Sequence, residues 1–490
     1  MRILTTITFF TLLLFLGGCA SQQNIQRDID TTGEEAYTDW KAQQEASAND
    51  SLGTESPINR TTEPLLDGSL SVADAIKLSL QFNRQLQVEL EERLAASGQM
   101  LSAIGNAGPE VTASGTYVRE EDKSGFVVDG EQVSIENLED YSATLSVEVP
   151  IFSGGNTASA LRSAQYLKVL TEKNIQAAIE ETIYETMRGY YEVLLLQEEL
   201  EVAQNLVDLN EQLLQDVINN QDVGIATEFN VLVARVDLSN AQTERQLAQN
   251  NVDQARAQLF RILGVAQTSN VEMTDELRFN PTSTNRDEAV ERALKSRPEA
   301  ASSQMNVRIQ EEVLRSAYTQ YLPTISAFFD NTWGNPNPAF SSVNDWGRFW
   351  NAGLRLNWSI FDLSREGEIQ QEKANLRQQQ ISFYDTQEAI LFDVQSALLA
   401  LENARQSVET QQLTLEQGNE GLRQAEVGLR EGTLTQVEVQ EAQQTFFDAQ
   451  LSYLNSLYNY EIARLDLQRA TGELRFNNRV DREMLDRLQR

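Results

Sequence analysis

Strict alternation of apolar and polar residues marks two segments of this chain. From Trp350 to Ile360, Trp350, Ala352, Leu354, Leu356, Trp358 and Ile360 share one face. Asn351, Gly353, Arg355, Asn357 and Ser359 share the other. A period of two is the signature of a strand with one apolar face. The pattern returns from Tyr141 to Ile151, with Tyr141, Ala143, Leu145, Val147 and Val149 against Ser142, Thr144, Ser146, Glu148 and Pro150. Each run is about 11 residues, the length of a tilted strand crossing a bilayer. Partner strands are expected over Val111–Val118 and Thr324–Trp333, joined through loops at 120–138 and 335–347. Trp333, Trp346, Trp350 and Trp358 are read as aromatic residues gathered at one end, as in an interfacial girdle. Only four strands are expected, too few to close a sheet. An open edge cannot survive in lipid, so the pattern predicts closure by oligomerisation.

The remaining periodicity is helical. Residues 155–222 and 364–431 read as two nearly unbroken helices, each roughly 100 Å long at 1.5 Å per residue. Val193, Leu196, Leu200, Ala203, Val207, Asn210, Leu214 and Val217 form a heptad seam in the first. Val202, Leu206, Leu209 and Leu213 add a second stripe. Val394, Ala397, Leu401, Ala404, Val408, Leu415, Leu422 and Leu429 form the seam of the second. Shorter helices are expected near 72–107, 227–264, 287–320 and 435–471. In each half the two shorter helices nearly sum to the long one. They are expected end to end beside it, with the strand pair at one end and a glycine turn at the other. A soluble coiled-coil rod accounts for the helices but not for the strand pairs.

The elements recur in order. Pro109-Glu110-Val111-Thr112-Ala113 returns as Pro323-Thr324-Ile325-Ser326-Ala327, Ile151-Phe152 as Ile360-Phe361, and Leu263-Gly264 as Thr471-Gly472. An ordered series with drifting offsets indicates two copies of one unit. The expected organisation is a signal peptide over 1–18, a polar lead-in over 19–69, repeats over 70–270 and 271–472, and a polar tail over 473–490.

Composition narrows the chemistry. The net charge of -34 argues against nucleic acid as a partner. There is no His and one Cys. Disulfides, Cys/His zinc sites and Ser-His or Cys-His nucleophile pairs are excluded. The carboxylates spread along helix faces instead of gathering at a centre. No enzyme activity, metal or cofactor is expected. After Arg2, residues 3–16 form an apolar run of signal-peptide length. It ends in Leu16-Gly17-Gly18-Cys19-Ala20, which resembles the bacterial lipobox. Cys19 is therefore expected to carry a covalent lipid. Ala20, in place of Asp, implies sorting to the outer membrane.

Taken in order, these elements resemble the TolC-type outer-membrane efflux proteins, and the lipobox resembles the lipoprotein branch serving tripartite pumps. The marks are Leu70-Ser71-Val72-Ala73-Asp74-Ala75-Ile76, Asp287-Glu288-Ala289-Val290, Arg297-Pro298-Glu299, the Pro before each first strand, Val149-Pro150-Ile151-Phe152 and the two glycine turns. The resemblance covers residues 70–472. It implies a mixed fold of long antiparallel α-helical coiled-coil barrel and membrane β-strands. A homotrimer would close a 12-stranded barrel above a periplasmic helical tunnel, the whole acting as a passive duct in outer-membrane lipid. Implied partners are a periplasmic adaptor protein and an inner-membrane transporter, of the resistance-nodulation-division type. The adaptor would meet the tips, here Val223, Gly224, Ile225, Ala226 and Thr227, then Gly432, Thr433, Leu434 and Thr435. An acidic pore constriction would fall at Glu438 and Glu441, for neither of which a structural partner is evident. Leu434 stands where such ducts often carry a locking Arg. The alternatives are a periplasmic adaptor, which would need small β-rich domains, and a structural coiled-coil lipoprotein.

Overall fold

The computed structural model describes residues 64–119, 125–128, 131–134, 139–281, 284–339 and 345–474. The first half runs β1 (Asp67–Leu70), α1 (Val72–Phe82), α2 (Arg84–Gly105), β2 (Glu110–Arg119), β3 (Gly125–Val128), β4 (Glu131–Ser134), β5 (Glu139–Phe152), α3 (Asn156–Asp222) and α4 (Glu228–Leu263). The second runs β6 (Asn270–Met273), α5 (Arg286–Ser296), α6 (Pro298–Thr319), β7 (Thr324–Asn335), β8 (Gly347–Asn357), α7 (Ser364–Glu431) and α8 (Gln436–Ala470). The long helices hold 67 and 68 residues.

Every position of the two heptad seams is buried or half-buried. The long helices owe their stability to these seams, since propensity alone contributes little. Near the sheet, neighbouring helices follow the order α2, α3, α6, α7; toward the tips α3 packs on α4 and α8, and α8 on α7. Three apolar clusters lie around the middle of the helices. One joins α5, α7 and α8 through Ala289, Val394, Val408 and Tyr460. Another joins β1, α1, α3, α4 and β6 through Leu70, Tyr190, Leu259 and Val271. The third joins α1, α2, α3 and α8 through Ile76, Leu86, Ile183 and Leu465.

Two of the shorter helices are broken, against expectation. Asn83 and Arg297 both adopt extended backbone between paired helices. At Arg297 the cause is Pro298, whose ring disfavours helical backbone in the preceding residue. At Asn83 the side chain caps the following helix, accepting from Leu86 N at 2.9 Å. Both breaks seat a glycine. Gly264 and Gly472 each have φ +68, and a Cβ on Gly264 would lie 2.1 Å from the Phe82 carbonyl oxygen. A Cβ on Gly472 would lie 3.0 Å from Ser296 Cβ. Each half therefore ends in a left-handed glycine pressed into its own helix break.

Asp67–Leu70 is also a strand where a polar lead-in is expected, and it pairs in parallel with β6. Its partner is some 200 residues away, beyond any local pattern. β6 itself spans the expected boundary between the two repeats. The Tyr190 hydroxyl fastens this pair, donating toward Leu70 O at 2.7 Å and Asp275 Oδ2 at 2.8 Å. Burial first, then the Asp275 hydrogen bond, pushes that hydroxyl up to about 12. With β3–β4 as a further pair, the described residues hold eight strands, four more than expected.

Candidate functional site

The main sheet is antiparallel, in the order β2-β5-β7-β8. Register places Val111, Ala113 and Gly115 on one face with Ala143, Leu145, Val147 and Val149. Ala327, Phe329 and Trp333 continue that face, as do Ala352, Leu354 and Leu356. It is apolar and bare: Leu354 is 71% exposed and Leu356 60%. Asn331 and Arg348 interrupt it near the end remote from the helices. Arg348 Nε donates to Asn331 Oδ1 at 2.9 Å and the guanidinium lies 5.7 Å from the Trp333 ring centre. The opposite face carries Thr112, Ser114, Thr116, Ser142, Thr144, Ser146, Glu148, Asp330, Thr332 and Asn351. On it Arg355 pairs with Glu148 at 3.4 Å and stacks 4.7 Å over Phe328.

The expected strand end at Ile360 is not reached, because β8 stops at Asn357. The tryptophans also do not gather at one end. Tyr117, Tyr141, Trp333, Trp346 and Trp350 lie toward the end remote from the helices, with Tyr117–Tyr141 centroids 4.9 Å apart. Trp358 lies at the helical end, where its indole N–H donates to Tyr321 O at 3.1 Å. Two aromatic levels thus bound the apolar face. From the Trp333–Arg348 row to Trp358 is roughly 33 Å of extended backbone. A strand tilt of about 40° reduces this to roughly 25 Å of height.

At the other end of the long helices are two turns of different construction. In the first, Gly224 has φ +80, and Asn220 O accepts from Ile225 N and Ala226 N at 2.8 and 3.1 Å. Thr227 and Asn230 form a capping box that starts α4. Val223 and Ile225 stand 71% and 77% exposed. In the second, Gly432 has φ +73, and Gly428 O accepts from Thr433 N, Leu434 N and Thr433 Oγ1 at 2.9, 3.2 and 3.0 Å. Leu434 folds over Gly428 instead of projecting outward, as the 2.8 Å approach of its Cγ and Cδ1 to a Cβ built there makes plain.

Glu438, expected to have no structural partner, has one. Its Oε2 accepts from Thr435 N at 2.7 Å and from Thr435 Oγ1 at 2.8 Å, while Glu438 N donates to Thr435 Oγ1 at 3.4 Å. The motif Thr435-x-x-Glu438 is a capping box, which the sequence reading passes over. The Thr435 backbone N–H, then its hydroxyl, holds the Glu438 carboxyl below its usual range. Glu441 is exposed one turn further on the same helix. Gln440 Nε2 donates to Asp237 Oδ2 at 3.2 Å and joins the two tip hairpins. Cys19 lies outside the described residues.

Among the described residues no group of three or more His, Cys, Asp or Glu is placed to hold a metal ion. No helix among them is long and apolar enough to cross a membrane.

The fold is similar to several solved channels. The Campylobacter jejuni CmeC outer membrane channel superposes with a TM-score of 0.71 at 16% identity, covering 89% of this chain and 96% of that one. The open state of the Neisseria gonorrhoeae MtrE outer membrane channel gives 0.66 at 16%, covering 86% and 97%. The outer-membrane channel OprN gives 0.68 at 19%, covering 82% and 89%. At these identities the likeness is one of fold. No curated protein sequence matches the chain. The family model described as outer membrane efflux protein matches residues 75–265 and 289–473, two segments whose gap falls on β6 and the connection to α5. This chain therefore belongs to the outer membrane efflux protein family, whose members are channels and not enzymes.

Proposed function

We propose that this chain is the outer-membrane duct of a tripartite efflux or type I secretion system. Three copies would close a 12-stranded barrel. The barrel would pass substrates passively from an inner-membrane pump of the resistance-nodulation-division type, through a periplasmic adaptor, to the outside. The observation that carries the reading is the four-stranded sheet. Among the described residues its edges β2 and β8 have no further strand partner, and its apolar face lies between two aromatic levels. In water such a sheet invites aggregation; in lipid it must close.

The same reading assigns the tips, at 223–227 and 432–435, to adaptor contact. The exposed Val223 and Ile225 support this for the first tip. It assigns the narrowest point to Glu438 and Glu441, where threefold symmetry would bring carboxylates together and favour cations. Cys19 would carry the lipid that anchors the lead-in. The two halves would be copies of one unit, a view supported by the matching glycine seats.

The test is made on the full-length chain extracted from outer membranes. Expected are a heat-labile trimer on gels, cation-selective conductance in planar bilayers, and acyl labelling that Cys19→Ser abolishes. A monomer that partitions with soluble protein and forms no channel would overturn the duct. Unchanged labelling of Cys19→Ser would overturn the lipid assignment alone.

A further inference from the structure

The main sheet holds three arginines, Arg119, Arg348 and Arg355. Two of them meet acids. Arg355, on the polar face, pairs with Glu148 at 3.4 Å. Arg119, at the end of β2, lies 3.9 Å from Glu139. Arg348 is exposed on the apolar face, at the end remote from the helices. Among the described residues it has no carboxylate partner. It is nevertheless held in place. Its Nε donates to Asn331 Oδ1 at 2.9 Å, and Asn331 is only 5% exposed. Its guanidinium lies 5.7 Å from the Trp333 ring centre. With Nε taken, the two Nη nitrogens have no acceptor among the described residues. They form a planar fork of the kind that matches two phosphate oxygens. From there toward mid-sheet the same face continues through the exposed Trp350, Ala352 and Leu354.

We propose that Arg348 binds the phosphate of an anionic lipid in the outer leaflet, with the acyl chains lying along Trp350, Ala352 and Leu354. This rests on the duct reading, which sets the helices in the periplasm and this end of the sheet at the outer leaflet. Three arguments carry it. A guanidinium facing lipid is costly unless it reaches the interface and finds an anion there. A neighbouring copy does not supply one from its strand. In the proposed barrel its β2 would lie beside β8, and the outward face of β2 carries Val111, Ala113, Gly115, Tyr117 and Arg119. None is acidic, and Arg119 brings a second positive charge to the same end of the seam. The apolar strip below Arg348 favours a lipid over a free phosphate, because acyl chains bury area that an inorganic ion cannot.

The experiment uses the full-length trimer in detergent, as wild type and as R348A, R348K and R355Q. Each is titrated with diphosphorylated lipid A or with dioleoylphosphatidylcholine, with and without excess inorganic phosphate. Bound lipid is counted by native mass spectrometry. Wild type should take up about one lipid A per chain, about tenfold more tightly than the zwitterionic lipid. R348A should lose that preference. R348K, which keeps the charge but not the fork, should weaken it about threefold. R355Q removes a charge from the opposite face of the same strand and should leave it unchanged. R348A binding lipid A as wild type does would overturn the assignment. So would displacement of the lipid by inorganic phosphate, which would mark a free-anion site. Failure of the duct reading looks different: wild type itself would give no heat-labile trimer.

Discussion

Arginine at Leu354 tests the membrane sheet most directly. Leu354 lies six residues from Arg348 and four from Trp358, roughly 20 and 13 Å of extended strand from the two aromatic levels. It faces outward beside Ala327, its partner in β7. If lipid covers this face, position 354 is near mid-depth, where a cationic side chain costs roughly 2–4 kcal/mol. Three chains would multiply that to roughly 6–12 kcal/mol per trimer, enough to prevent stable insertion. The control is Asn351→Arg, on the other face and opposite Asp330. There the new charge would meet an acid across the strands, a mildly favourable pairing. The assay is the yield of membrane-inserted, heat-labile trimer, with urea extraction of the membranes to remove loosely bound chains. Leu354→Arg should lose nearly all inserted trimer, and Asn351→Arg should keep it. Equal yields would refute the idea that lipid covers one face and water the other.

Further predictions concern the helices. Gly264→Ala would place its Cβ 2.1 Å from the Phe82 carbonyl oxygen at φ +68, so the α1–α2 break must shift; severe loss of folded protein is expected in expression and thermal-melt measurements. Tyr190→Phe removes the bonds to Leu70 O and Asp275 Oδ2 in a fully buried setting and should destabilise the fold by about 1–3 kcal/mol in thermal unfolding. Because Thr435 lowers the Glu438 pKa below its unfolded value of 4.5, the cap contribution is complete above 4.5 and fades only as pH falls through the lower folded value. Tryptic-type nicking near Arg430 with an acid-tolerant protease should therefore be flat from neutrality to 4.5 and rise below it; a rise already between 7 and 5 would contradict the capping geometry.

The long elements were legible because their signals are long. A helix of 67 residues gives many turns of seam, and a strand of 11 gives five alternations, so a single exception such as Asn210 does not hide the period. The breaks were legible unevenly. Arg297-Pro298 carries its own stop signal. Phe82-Asn83 carries only the weaker signal of an Asn N-cap, and the contact that the break seats, Gly264 against Phe82, lies some 180 residues away. β1 and β6 are four residues each and stabilise one another across some 200 residues, so neither shows a local period. The Thr435-x-x-Glu438 box is a local signal, legible in four residues of sequence. The placing of Trp358 turned on chain direction: residues 346 and 358 flank one strand and so must lie at its opposite ends.

One lateral contact can close both parts of the chain, and this ties the sheet to the helices. The strand order β2-β5-β7-β8 matches the helix order α2, α3, α6, α7 beside it. Covalent continuity is the reason: α2 leads into β2, β5 into α3, α6 into β7, and β8 into α7. The two open sheet edges therefore continue into the two outermost helices. Those helices carry bare apolar residues: Val88, Leu94 and Leu101 on α2, and Ile381, Phe392 and Leu399 on α7. A second copy that pairs its β8 with the first chain's β2 brings its α7 against the first chain's α2 in the same step. Strand pairing fixes the register and helix burial supplies apolar area, so neither contact forms well without the other. On the proposed trimer, polar substitutions at Leu94 and Leu101 should thus weaken the barrel as well as the tunnel, read as loss of heat-labile trimer on gels.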